Sequence, residues 1–157
     1  MLRVAQPCWQ CDGMEQRICL VTLGVSNVSR SFDFYKRLGW HGQEVEQTVF
    51  FQTGVIGVVL WQQDKLADDA GVKPVLGAGF RGTAIAHNVR TKDEVDAVLA
   101  AVVAAGGRIT RTPAETFYGG YAAYFTDPDG HVWEIAYNPG FPISGSGALT
   151  IPDFGNQ

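Results

Sequence analysis

The chain has 157 residues, a formal net charge of −4, 46% hydrophobic and 18% charged residues. That is one domain, or two very small halves, with enough apolar side chain for a core and too little charge for a disordered chain. The acidic balance argues against nucleic acid or an anionic membrane as partner, and no apolar run nears the ~18 residues of a membrane span.

Residues 1–16 are polar and aperiodic and are expected to form an N-terminal arm. Cys8 and Cys11 make a C-x-x-C within it, and Cys19 follows. No second ligand pair of matching spacing accompanies the motif, and it does not sit where a strand meets a helix. The expected state is therefore two reduced thiols on a mobile arm. Three cysteines and no apolar export signal fit a reducing, cytoplasmic location.

Order is expected from 18 onward. Residues 18–25 suit a buried strand, and Asn27 offers an N-cap oxygen to a helix whose stripe is Val28, Phe32, Tyr35 and Leu38. Gly39 stops that helix. Short β-like runs follow at 43–45, 49–52 and 58–62, separated by Gly42, Gly54 and Gly57. One or two helical turns at 63–70 and a loop at 71–82 complete the first half.

The pattern then restarts. Residues 83–89 read as a strand, and Thr91 with Glu94 forms a capping box. Val95, Val98, Leu99 and Val102 give a second helical stripe, stopped by Gly106 and Gly107. A strand at 108–110, a loop through Pro113 and Gly119, and strands at 121–126 and 132–137 follow, the last two joined by Asp-Pro-Asp-Gly at 127–130. The tail from 139 to 157 is expected to wrap the surface or hang free. The chain is thus two strand–helix–strand–strand–strand copies, spanning 18–62 and 83–137 within a unit of 17–138. Each copy is too short to bury its own sheet face. The expected fold is α+β, with paired βαβββ modules forming a half-barrel, helices outside and a cleft inside.

Two motifs carry a family resemblance. Ser31, Phe34, Tyr35, Leu38 and Gly39 form S-x-x-F-Y-x-x-L-G after the first strand, and Asp127, Pro128, Asp129, Gly130 and Glu134 form D-P-D-G-x-x-x-E. With the repeat, they resemble the vicinal oxygen chelate superfamily of glyoxalase I, bleomycin-resistance proteins and extradiol dioxygenases. The resemblance implies the paired-module fold and, by analogy, a homodimer. It fixes activity weakly, because the scaffold hosts unrelated chemistries.

Enzymes of that superfamily generally hold a divalent metal with inward-facing His, Glu or Gln side chains from the first and last strands of each module. The matching positions here are Leu20, Trp61, Ala84 and Glu134. Three of the four cannot ligate a metal, so no cofactor is expected. A divalent metal would need atypical ligands. A one-residue register slip offers only Cys19. The three histidines do not cluster. His87 is expected to be a hydrogen-bonded structural residue on the helix-facing side of its strand, His131 to be solvent-exposed after the turn, and His41 to be peripheral.

Strand alternation puts Thr22 on the face of Leu20, and Asn88 on the face of Ala84. The expected cleft therefore offers Glu134, Asn88 and Thr22 as polar groups and Trp61 as an aromatic wall. The loop holding Tyr118 and Tyr121 is its candidate rim. A lone carboxylate beside apolar walls should either favour its neutral form or meet a donor, and Asn88, Tyr118 and Tyr121 are the candidate donors. Metal-independent binding or sequestration of a small molecule is the expected function. The alternatives are a metal-dependent lyase or dioxygenase with unusual ligands, a metal-free enzyme with Glu134 as general base, and an interaction module without a ligand.

Overall fold

The computed structural model describes residues 14–75 and 79–155, so Cys8 and Cys11 lie outside the described residues. The first module contains β1 (Leu20–Val25), α1 (Val28–Arg37), β2 (Gly42–Val45), β3 (Thr48–Thr53) and β4 (Ile56–Gln62), followed by the short α2 (Gln63–Asp69). The second contains β5 (Ala84–Val89), α3 (Lys92–Ala105), β6 (Arg108–Glu115), β7 (Tyr121–Thr126) and β8 (Val132–Tyr137). Each module forms one mixed four-stranded sheet, in the orders β1-β4-β3-β2 and β5-β8-β7-β6. The sheets share no ladder among the described residues and are not closed into a barrel.

Local chemistry sets the boundaries. Asn27 Oδ1 accepts from the Arg30 amide at 2.9 Å and starts α1. Thr91 and Glu94 exchange both capping-box hydrogen bonds at the start of α3. Gly106, with φ of 102°, ends α3 in a left-handed conformation that side chains with a Cβ resist.

Period-2 alternation then builds one core from both modules. Leu23, Val25, Val49, Phe51, Val58 and Leu60 of the first sheet join Phe34 and Tyr35 of α1. Phe125, Trp133 and Ile135 of the second sheet join Val95, Leu99 and Val102 of α3 in the same cluster. The Tyr35 ring centroid lies 6.1 Å from that of Trp133, and Trp40 lies 5.7 Å from it, so aromatic packing runs across the module boundary. Burying each large side chain of this kind contributes about 1.5–3 kcal/mol.

A polar clasp reinforces that boundary. Asp129 Oδ1 accepts from the Ser26 amide at 2.8 Å, the Ser26 hydroxyl at 2.7 Å and the Arg30 guanidinium at 2.7 Å. Its other oxygen accepts from the buried Ser31 hydroxyl. Asp127 Oδ2 accepts from the Tyr35 hydroxyl at 2.8 Å and meets His131 Nδ1 at 2.8 Å. Burial alone would raise the Asp129 carboxyl, but hydrogen bonds from Ser31 and Ser26 and the Arg30 charge hold it below the usual carboxylate range. The motif residues Ser31, Tyr35, Asp127 and Asp129 thus tie β8's turn to α1.

Three expectations need correction. The strand at 108–110 extends to Glu115, through Pro113, because β6 is an edge strand with two register shifts, and an edge tolerates a residue without an amide proton. His131 is not out in solvent: the turn folds its ring back onto Asp127. His87 makes no hydrogen bond among the described residues and is exposed, because α3 packs mainly over β6, β7 and β8 and leaves β5 at the rim. Of the two courses expected for the tail, the described part takes the first: it folds on itself at Ile143 and Leu149, and the Ser144 carbonyl accepts from Arg90.

Candidate functional site

The second sheet has a face turned away from α3. Alternation puts Trp133 and Ile135 into the core, and so leaves Val132, Glu134 and Ala136 on the other side of β8. Register aligns one continuous row across all four strands of that face: Arg111 on β6, Tyr124 on β7, Glu134 on β8 and Ala86 on β5. The adjacent row is Ala114, Ala122, Ala136 and Asn88. A polar row therefore runs beside a floor of methyl groups. Ala84 and Ala86 on the edge strand β5 and Arg111 on β6 are exposed, whereas Ala122 and Ala136 in the middle of the sheet are buried, so the face is open along its edges and along the polar row and covered over the central alanines.

The row is chemically connected. Tyr124 donates its hydroxyl to Glu134 Oε1 at 2.7 Å. That bond, followed by partial burial and the Glu134 charge, raises the Tyr124 pKa, while Arg111 opposes the rise. The Arg111 guanidinium carbon stands 5.7 Å from the Tyr124 ring centroid, within cation–π reach. The Tyr118 hydroxyl is also close enough to raise the Tyr124 pKa. Tyr118 packs back over Gly120, where a Cβ would collide with its ring and come within 2.5 Å of the Tyr137 carbonyl oxygen. Glycine at 120 is what lets the rim tyrosine approach this face. Phe117, beside it at the hairpin tip, is fully exposed.

The residues singled out in the sequence divide among places. Glu134 and Asn88 share the open face of the second sheet, on neighbouring rows. Tyr118 reaches the same face from the rim. Thr22 and Trp61 lie on the open face of the first sheet, with Leu20, Phe50 and Val59. Tyr121 belongs to the opposite, helix-facing side: it packs against the core and donates its hydroxyl to Asp96 of α3 at 3.2 Å. Its odd position on β7, in phase with Ala123 and Phe125, forbids it from serving Glu134. The donor to Glu134 is Tyr124, which sequence reasoning passed over along with Arg111. The alternation of β7 against Phe125 pointed to Tyr124. Nothing local in the sequence pointed to Arg111, because a bulge decides its face.

The superfamily's metal finds no matching donor set here. Leu20, Trp61 and Ala84 occupy three of the four ligand positions, and the fourth, Glu134, has one oxygen taken by a phenol. No group of three or more His, Cys, Asp or Glu side chains placed to hold a metal occurs among the described residues. Leu20, Trp61 and Ala84 bring no donor atom suited to a transition metal.

Comparison with known proteins agrees with the fold and the motifs. The family model of the Glyoxalase/Bleomycin resistance protein/Dioxygenase superfamily matches residues 17–135. The chain belongs to that superfamily. A solved glyoxalase-related enzyme from Fulvimarina pelagi is 36% identical, with 87% of this chain and 98% of that one covered at a TM-score of 0.80. A hypothetical protein from S. aureus is 29% identical over 80% of this chain and 95% of that one, with a TM-score of 0.69. A lactoylglutathione lyase from Agrobacterium tumefaciens, 23% identical over 78% and 93% with a TM-score of 0.59, shares the fold. No curated protein matches the chain.

Proposed function

We propose that the chain binds a small organic molecule on the open face of its second sheet, without a resident transition metal. The observation that carries this reading is the Tyr124–Glu134 hydrogen bond, on a face with a guanidinium over the Tyr124 ring that makes no salt bridge among the described residues and a tyrosine folded over from the rim. A mostly apolar surface with a few convergent polar groups suits small-molecule recognition. The same bond favours a second reading, in which Glu134 is a general base for a metal-free isomerase or lyase. A carboxylate with a phenol fixed at one oxygen has its second oxygen oriented toward solvent and ligand.

A cytoplasmic homodimer completes the proposal. No helix among the described residues is long and apolar enough to cross a membrane. The open face of the first sheet exposes Leu20 at 58%, Val45 at 56% and Phe50 at 44%, apolar surface that a second copy would cover. Light scattering at micromolar concentration tests the dimer, and a monomeric mass counts against it. For the site, an NMR screen with a library of neutral and charged fragments is the test. Shifts concentrated on β7 and β8, weakened in Glu134→Gln by the about 1–3 kcal/mol of a disrupted buried polar contact, are the expected result. Fragments that leave β8 unmoved would overturn it.

A further inference from the structure

The position of Arg111 is a product of irregular backbone. At the start of β6 the ladder is regular, with Arg108 opposite Thr126 and Ile109 opposite Phe125. Continued without a shift, it would set Thr110 opposite Tyr124 and turn Arg111 to the side of Ile109 and Phe125, against the core. Instead the register shifts, and Arg111 stands opposite Tyr124. One extra residue in the edge strand therefore moves a guanidinium from the helix side to the open face. β-Bulges re-aim side chains in this way, often beside active sites.

The re-aimed guanidinium has no carboxylate partner among the described residues. Each salt bridge among the described residues uses another cation: Arg17, Arg30, Lys36, Lys92 or His131. Glu134, two strands away on the same row, is held by Tyr124 instead. The row thus keeps a cation and a carboxylate apart, about 10 Å between backbones at the usual strand spacing, with a phenol between them. Glu134 Oε2 accepts no hydrogen bond among the described residues.

We infer that this face selects a small organic carboxylate carrying a hydroxyl or amino group, with Arg111 as the anchor for the anion and Glu134 as the acceptor for the donor. A guanidinium offers two parallel N–H groups that match a planar carboxylate. A monoanion suits the site better than a phosphate dianion, because Glu134 and the chain's net charge of −4 both repel added negative charge. Ala122 and Ala136 of the neighbouring row are themselves buried, so the ligand's carbon skeleton would lie over Tyr124, between the two anchoring groups. This inference rests on the open-face reading above and adds the class of ligand.

The experiment is a pair of NMR titrations of the full chain with mandelate and with its neutral amide, mandelamide, following backbone amides of β6–β8 and the Arg111 Nε–H. Mandelate is expected to shift this row and to bind about tenfold or more tighter than mandelamide, as a charge-assisted contact would give. Arg111→Gln should abolish the preference by weakening mandelate alone, and Arg111→Lys should keep part of it, since the charge stays but the fork is lost. Equal binding of the two compounds on this row would overturn the anchor and leave the open-face site standing. Failure of mandelate to move the row at millimolar concentration would overturn the ligand class, with the fragment screen deciding the face independently. Shifts confined to another surface would overturn both.

Discussion

The Tyr35 hydroxyl donates to Asp127 Oδ2 at 2.8 Å across 92 residues of sequence, and in turn accepts from Trp133 Nε1 at 3.2 Å. One phenol thereby satisfies a carboxylate and an indole in the seam between modules, where Tyr35 is 1% exposed. Burial first, and then the Asp127 charge, push the Tyr35 pKa well up, so the phenol stays protonated and donating. Tyr35→Phe keeps the ring but leaves both partners short of a hydrogen bond. Its expected cost is about 1–3 kcal/mol of unfolding free energy, read from urea midpoints. An unchanged midpoint would show that the seam does not depend on this bond.

His131 gives the same seam a pH dependence. Burial opposes its protonation, but the hydrogen bond and charge of Asp127 outweigh burial and raise its pKa above the usual value of 6.5. The folded state therefore holds the proton more tightly than the unfolded one. The stability this contributes is complete below about pH 6.5 and is lost as pH climbs through the raised value. The urea midpoint is expected to fall between pH 6 and pH 8, and His131→Gln should flatten that fall. Asp129 has the opposite sign: its depressed pKa contributes above the ordinary carboxylate range and is lost as pH drops through the folded value.

Gly120→Ala addresses the rim. Its Cβ would meet the Tyr118 ring and the Tyr137 carbonyl oxygen, and the second of these is backbone that cannot rotate away. A destabilisation of about 1–3 kcal/mol is expected from the overpacking. Tyr118 should also be displaced from Gly120, seen as a change in its ring NMR signals. Tyr118→Ala separates the effects: it should remove the rim contact without the backbone strain.

Elemental analysis addresses the donor set. Protein purified without chelators or a histidine tag is expected to carry no stoichiometric transition metal, and EDTA should leave fragment binding unchanged. One metal per chain, lost together with binding in Glu134→Gln, would contradict the reading of Leu20, Trp61 and Ala84 as lost ligands.

The fold was legible because its signals are local and repeated. Asn27, Thr91 with Glu94, and the glycines after each helix state their roles within a few residues, and the second copy restates the pattern of the first. The faces of β5 and β8 follow from parity alone. The site was legible only where parity sufficed. Glu134 and Asn88 come out on one face, but Thr22 and Trp61 belong to the other sheet, whose placement depends on packing between modules. Tyr121 and Tyr124 differ by an odd step on one strand, so they point to opposite faces and only Tyr124 meets Glu134. Arg111 depends on a bulge, a feature of strand pairing that no run of residues at 108–115 announces. His131 shows the same limit, since its partner is the turn itself.

Crystallographic fragment soaking tests the central claim most directly, because it reports position. Bound organic fragments are expected over the Arg111, Tyr124 and Glu134 row, with Tyr118 alongside. Density clustered instead over Leu20 and Trp61 on the first sheet, or a metal ion coordinated by Glu134, would contradict it.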